Sequence, residues 1–181
     1  MNLRAIVTNT ELGWLAVAFT ERGVRASTMP QPHADAAFAA LRSLGIDVRL
    51  DLSREAEAFA TNLRRTVDGE AGAADLPLDL QGTPFQLLVW NAAAAIPRGQ
   101  TRSYGWIADQ IGKPSAARAV GRALGANPAP VVVPCHRVVR ENGALGGFGG
   151  GLALKQQMLL AEGVELTNRV PLVPPELPVA P

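Results

Sequence analysis

The 181-residue sequence is poor in the residues that build disulfides and metal centres, with one cysteine, Cys135, and two histidines, His33 and His136. One cysteine excludes an internal disulfide and suits a reducing, cytoplasmic compartment. The same scarcity excludes a zinc site built from several Cys and His ligands, and neither a metal nor a cofactor is expected. Long apolar runs are missing as well. No stretch reaches membrane-spanning length, and Met1-Asn2-Leu3-Arg4-Ala5-Ile6-Val7 lacks the charged-then-apolar layout of a secretion signal. Net charge is only +1, while 48% hydrophobic residues supply the core of one ordinary domain or two small ones.

Near-neutrality conceals an uneven distribution. Residues 82–163 carry eight basic and three acidic side chains, whereas residues 1–81 carry eight arginines against eleven acids. The basic surplus falls on the half that holds the cysteine, as expected where one half meets phosphates.

The chemistry concentrates in Pro134-Cys135-His136-Arg137-Val138, where a thiol and an imidazole stand side by side. A thiol attacks as its thiolate, and a neighbouring imidazole that takes the proton favours that form. Beta-branched Val131, Val132 and Val133 read as a buried strand that Pro134 ends, which places Cys135 at a strand end where a pocket can open.

In the N-terminal half, Leu3 to Val7, Trp14 to Phe19 and Val24 to Thr28 are short apolar runs separated by turns, a pattern for an antiparallel meander. His33 to Leu44 and Ser53 to Val67 read as helices. Ser53 is an N-cap for the second, with Ala58, Phe59, Leu63 and Val67 along one face, and His33 is a surface or capping residue. Gly69 to Ala74 reads as a small-residue link into a last strand at Leu76 to Leu80.

The C-terminal half reads as helices around a helix-turn-helix. Pro84 opens a helix with Phe85, Leu88, Val89 and Ala92 on its apolar side, ending before Pro97. Ser103 caps a second helix through Ile111, Gly112 to Ser115 is a tight turn, and Ala116 to Gly125 is the third helix. On that helix Ala117, Val120, Gly121 and Leu124 share the core side, and Ser115, Arg118 and Arg122 the outer side. The glycine-rich run from Gly143 to Gly151 lacks the Lys-Ser/Thr of a phosphate-binding loop; its glycines let backbone amides approach a flat base.

From Thr83 to Gly163 the chain resembles the O6-alkylguanine-DNA alkyltransferases, which move an alkyl group from a damaged base onto their own cysteine. The matching stretches include Gly82-Thr83-Pro84-Phe85-Gln86, Ile96-Pro97-Arg98-Gly99, Thr101-Arg102-Ser103-Tyr104-Gly105 and Ala116-Ala117-Arg118-Ala119-Val120-Gly121. They continue through Asn127-Pro128, Val133-Pro134-Cys135-His136-Arg137-Val138-Val139, Gly149-Gly150-Gly151-Leu152 and Leu159-Leu160-Ala161-Glu162-Gly163. A weaker likeness, through Thr10 to Leu15 and Leu76 to Leu80, reaches the N-terminus.

The resemblance implies an α/β (α+β) protein: a ribonuclease-H-like α/β structural domain over residues 1–81, a helical domain with a winged helix-turn-helix over 82–163, and a tail over 164–181. That tail is rich in proline and is expected to be extended or disordered. The implied partner is double-stranded DNA carrying alkylated bases, O6-alkylguanine and also O4-alkylthymine, bound through the minor groove by a monomer. The resemblance makes Cys135 the nucleophile, with His136, Glu162 and Asn127 as the other catalytic residues. It assigns DNA contacts to Tyr104, Ser115, Arg118, Ala119 and Arg122, with Arg118 as the wedge that replaces an extruded base, and lines the base pocket with Tyr104, Val138, Phe148, Gly149 and Gly150. Phe148 stands where the family commonly has tyrosine, so the aromatic wall is kept and a hydroxyl is lost. Adjacent side chains diverge on strands and helices alike, so a bridging water or a turn must connect Cys135 with His136. A damage sensor that binds without reacting is disfavoured by the presence of Cys135, and a cysteine hydrolase would need an oxyanion hole and a water route.

Overall fold

The computed structural model describes residues 3–70 and 75–166. The tail beyond Leu166 and most of the expected small-residue link, residues 71–74, lie outside the described residues.

Three strands form the expected meander: β1 (Leu3–Thr10), β2 (Gly13–Thr20) and β3 (Gly23–Ser27), with Ala5 opposite Ala18 and Phe19 opposite Val24. A short strand that the sequence pattern did not announce, β4 (Val48–Leu50), adds to β1 in parallel and completes the order β3-β2-β1-β4. Its backbone reaches β1 only because helix α1 (Ala34–Ser43) carries the chain back across the sheet. His33 caps that helix, its Nδ1 accepting from the Ala36 N–H.

Both faces of the sheet are buried, which is why its strands read as continuous apolar runs. Small side chains, Ala5, Ala16, Ala18 and Ala26, line one face and let α1 settle on it through Ala37 and Leu41. Large ones, Ile6, Leu15, Val17 and Phe19, line the other face and meet α2 (Arg54–Asp68). That helix is capped by Ser53 as expected, but it buries Ala56, Leu63 and Val67, while Ala58 is exposed. The stretch 76–80 is no strand. Pro77 has no N–H to give, and the segment touches β3 at a single bridge, Leu78 beside Val24, with Asp79 held by buried Arg25.

The core on the large-residue face continues without a break into the second half. Helix α3 (Pro84–Ala94) starts at Thr83 with a full capping box to Gln86 and buries Val89, Trp90 and Ala93; Leu88 turns outward, 47% exposed. The Trp90 indole N–H donates to the Ala123 carbonyl at 2.8 Å and so fastens α3 to α5 (Ala117–Gly125). Between them runs α4 (Tyr104–Gln110), capped by Ser103, and a 3-10 turn over Pro114–Ala116 leads into α5: a helix-turn-helix. Strands β5 (Arg102–Ser103) and β6 (Val138–Val139) pair in parallel, and α6 (Leu152–Ala161) closes the described chain. Among the described residues no helix is long and apolar enough to cross a membrane.

Arg98 fastens the two halves. Its guanidinium donates to the Val67 carbonyl at the end of α2 and to the Ala161 carbonyl at the end of α6, where two helix dipoles present negative charge. Gly69, left-handed at φ 75°, closes α2 and leaves the room this side chain occupies, since a Cβ there would meet Arg98 Nε at 2.4 Å. Arg98→Met keeps the bulk and removes both bonds. It is expected to lower unfolding stability by about 2 kcal/mol in urea titrations, the scale for hydrogen bonds from a charged donor.

Candidate active site

The segment before the cysteine departs from the expected strand. Val131 to Val133 form a turn in which the Val133 N–H bonds back to the Ala129 carbonyl at 2.8 Å and Val131 takes φ 73°. A β-branched residue in the left-handed region is strained, and such strain persists only where the surroundings over-determine it. Asn127 does this from within. Its Oδ1 accepts from the Ala129 N–H at 3.0 Å, and its Nδ2 donates to the Val133 carbonyl at 3.0 Å and to Cys135 Sγ at 3.3 Å. Ser27, buried at the end of β3, does it from outside: its N–H donates to the Pro128 carbonyl at 3.0 Å and its hydroxyl to the Pro130 carbonyl at 2.6 Å. These bonds satisfy the Ala129 and Val133 N–H groups and the carbonyls of Pro128, Ala129, Pro130 and Val133.

Cys135 to Arg137 then form a single 3-10 turn. Successive side chains on such a turn point about 120° apart. Cys135 therefore faces a front pocket while His136 and Arg137 face a cavity at the rear. There His136 Nε2 lies 2.7 Å from Glu162 Oε1, and Glu162 also accepts from Arg137 Nε at 2.9 Å and Nη2 at 3.0 Å. Glu162 caps the end of α6, and its carboxylate also accepts from the Gly99 N–H at 3.3 Å.

Burial would push the Glu162 carboxyl up, but the bonds from His136 and Arg137 outweigh it and hold the group at about 2. For His136 burial wins over the carboxylate and moves the imidazole below its ordinary value. The ring is therefore neutral near pH 7. An ionised carboxylate only accepts, so Nε2 carries the ring proton and Nδ1 is left as the basic atom. Nδ1 is buried and has no hydrogen-bond partner among the described residues. The Cys135 thiol is raised by burial, which outweighs the opposing Asn127 bond and the Lys155 charge. The resting site holds a thiol beside a neutral base, and the expected resting thiolate is not what this environment favours.

The front pocket has a volume of about 460 Å³. It brings together Tyr104, Arg118, Arg122, Asn127, Cys135, Phe148 and Gly149. Gly146, at φ 69°, has Tyr104 against it, with room for no Cβ: one there would lie 2.8 Å from the Tyr104 hydroxyl. Exposed Arg118 and Arg122 stand on α5 at the pocket's rim, while Ser115 and Ala119 lie elsewhere on the same helix-turn-helix surface. Val138 is wholly buried in β6 and does not line this pocket, and Gly150 sits just behind Phe148.

Two residues went unnoticed in the sequence reading. Lys155, counted there with the basic surplus, is fully buried, and its Nζ donates to the carbonyls of Val138, at 2.6 Å, and Leu145. Burial lowers it to about 8, and its charge faces Cys135. Its i, i+4 spacing to Leu159, which is buried on α6, placed it on the core side, a signal that was available. Met29, just beyond β3, also lines the pocket, and nothing in its local sequence could have shown that.

A buried thiol in an open pocket, backed by a carboxylate-bound imidazole and rimmed by a basic helix-turn-helix, is an arrangement able to present a cysteine nucleophile on a nucleic-acid-binding type of scaffold. Residues 84–164 match the family model described as 6-O-methylguanine DNA methyltransferase, DNA binding domain. A methylated-DNA--protein-cysteine methyltransferase of Mycolicibacterium paratuberculosis is 57% identical over 94 residues, which cover 52% of this chain and 57% of that relative's length. Its counterpart in Methanosarcina acetivorans is 46% identical over 113 residues, 62% of this chain and 68% of that one. Among solved structures, Mycobacterium tuberculosis OGT in complex with DNA superposes with a TM-score of 0.70 at 37% identity, covering 88% of this chain and 93% of that one. The chain belongs to the O6-methylguanine-DNA methyltransferase family.

The ion cluster makes stability depend on acid. An unfolded Glu162 takes up its proton near 4.5, the folded one only near 2, so between these values the unfolded state binds more protons and stability falls as pH drops. The lowered His136 adds to the loss below its ordinary 6.5. Glu162→Gln is expected to cost about 3 kcal/mol at pH 7, because Arg137 is left buried without its partner. Its denaturant midpoint should also change less than the wild type's between pH 5 and pH 3 (about the window of the carboxyl's titration).

Proposed function

We propose that this protein repairs DNA by direct reversal, taking the alkyl group from O6 of guanine, or O4 of thymine, irreversibly onto Cys135 Sγ. The observation that carries this reading is the Cys135 thiol, held by the Asn127 amide in a pocket whose rim bears Arg118 of the helix-turn-helix. The names of the relatives, cysteine methyltransferases acting on methylated DNA, support it, as does the structural neighbour solved with DNA.

Chemistry sets the order of events. The O6 substituent lies inside the base stack, where a thiol fixed in a pocket cannot approach it in line, so the base must first be extruded. Helix α5, with small Ala119 and Gly121 between Arg118 and Arg122, is slim enough to enter the minor groove, and Arg118 fills the vacated stack. Tyr104 holds the rotated phosphate and one wall of the pocket, and Phe148 stacks on the base. Sγ then bonds to the alkyl carbon as the bond from that carbon to O6 breaks. The thiol proton passes through a water to His136 Nδ1 and is returned to the guanine, which departs with negative charge on O6. Glu162 fixes the tautomer that leaves Nδ1 free to do this. A thioether is no leaving group, and nothing regenerates the thiol. The reading includes a monomeric protein, and a reactive lone thiol suits the cytoplasm.

Intact-mass measurement after exposure to duplex DNA with O6-methylguanine should show a gain of about 14 Da, once per molecule and absent in Cys135→Ser. Repeated turnover by one molecule would overturn the assignment. Arg118→Ala should slow transfer from duplex DNA at least about tenfold more than transfer from free O6-methylguanine, because only the duplex exacts the cost of unstacking. Equal losses on both substrates would remove the wedge role.

A further inference from the structure

The pocket around Cys135 is not built by the C-terminal half alone. Ser27 ties the end of β3 to the carbonyls of Pro128 and Pro130, in the loop that carries the cysteine. Two residues later Met29 is left half-buried at the pocket wall, with its backbone anchored by that clamp and its own carbonyl accepting from Gln31 Nε2 at 3.2 Å. Its thioether lies over the glycine-rich loop. A Cβ on Gly150 would come within 3.4 Å of Met29 Sδ, and one on Gly149 within 3.8 Å of its Cε.

We infer that Met29, supplied by the N-terminal half, is a specificity-determining residue that covers the part of an O6 substituent extending beyond its first carbon. The inference rests on the alkyl-transfer reading above and deepens it. In a displacement the sulfur, the attacked carbon and the departing oxygen are collinear, so any larger substituent on that carbon projects sideways, toward a pocket wall. A methyl group has nothing to project. The 460 Å³ pocket has room for a substituted guanine, so the wall acts as a contact surface. A flexible, polarizable thioether suits that task and packs well against an aromatic ring.

The test compares second-order rates of Cys135 alkylation by free O6-methylguanine and O6-benzylguanine, read by intact mass, for the wild type, Met29→Ala and Met29→Leu. The ratio of benzyl to methyl transfer should fall about fivefold in Met29→Ala, the scale of about one buried methylene of apolar contact, and be largely restored in Met29→Leu, which returns that contact without the sulfur. Parallel changes in both rates, or a rise of the ratio in Met29→Ala, would overturn the role of Met29 while leaving alkyl transfer intact. No mass gain in the wild type with either base would remove the underlying reading itself. Thermal melts of each variant separate a fold defect, which lowers both rates together, from the selective loss expected here.

Discussion

The active loop depends on one carboxamide. Asn127 satisfies an N–H, a carbonyl and the sulfur at once, and each of these bonds holds a different part of the turn from Ala129 to Cys135. Together with the Ser27 bonds from outside, they hold Val131 in a conformation that costs on the order of 1–3 kcal/mol. The strained turn in turn sets where the following 3-10 turn begins, and hence which cavity receives the thiol and which the imidazole. Geometry at the sulfur is thus secured by a neutral side chain, at no cost in buried charge.

Behind that turn, burial and charge act in opposite senses on neighbouring groups. Two donors keep Glu162 ionised despite burial, whereas His136, deeper and with one anionic partner, loses its charge to desolvation. The thiol, also buried, keeps its proton. Burial thus favours a neutral thiol beside a neutral base in the free protein. This suits a protein proposed to react once, for which an adventitious reaction is as final as the intended one.

The N-terminal half does more than brace the other. Its large-residue sheet face shares one core with α3 and α5, Arg98 joins the ends of α2 and α6, and Ser27 holds the active loop from outside. The hydrogen bonds among these contacts join residues separated by 31 to 103 positions in the chain, and they fix the loop with the precision that the proposed in-line displacement requires.

Much of this was legible in the sequence where local rules decide. The meander, the caps at Ser53 and Ser103, the helix opened by Pro84, the helix-turn-helix and the Cys-His pair all rest on spacing, capping chemistry or residue type, which act over a few residues. The resemblance carried Glu162 and Asn127 as far as candidates. Where local rules misled, a distant partner had overridden them. Three valines between prolines look like a strand, but Asn127 and Ser27 offer their backbone better hydrogen bonds as a turn; Leu76 to Leu80 has strand composition, but Pro77 breaks the ladder beside β3. Lys155 reads as a surface charge until carbonyls of β6 and the glycine loop are brought to it. The sequence by itself determined which chemical groups the protein owns and the elements that carry them. Only the tertiary structure decided which of those groups face a common cavity and in which protonation state, because burial and long-range hydrogen bonding are properties of neighbours that the chain order does not contain.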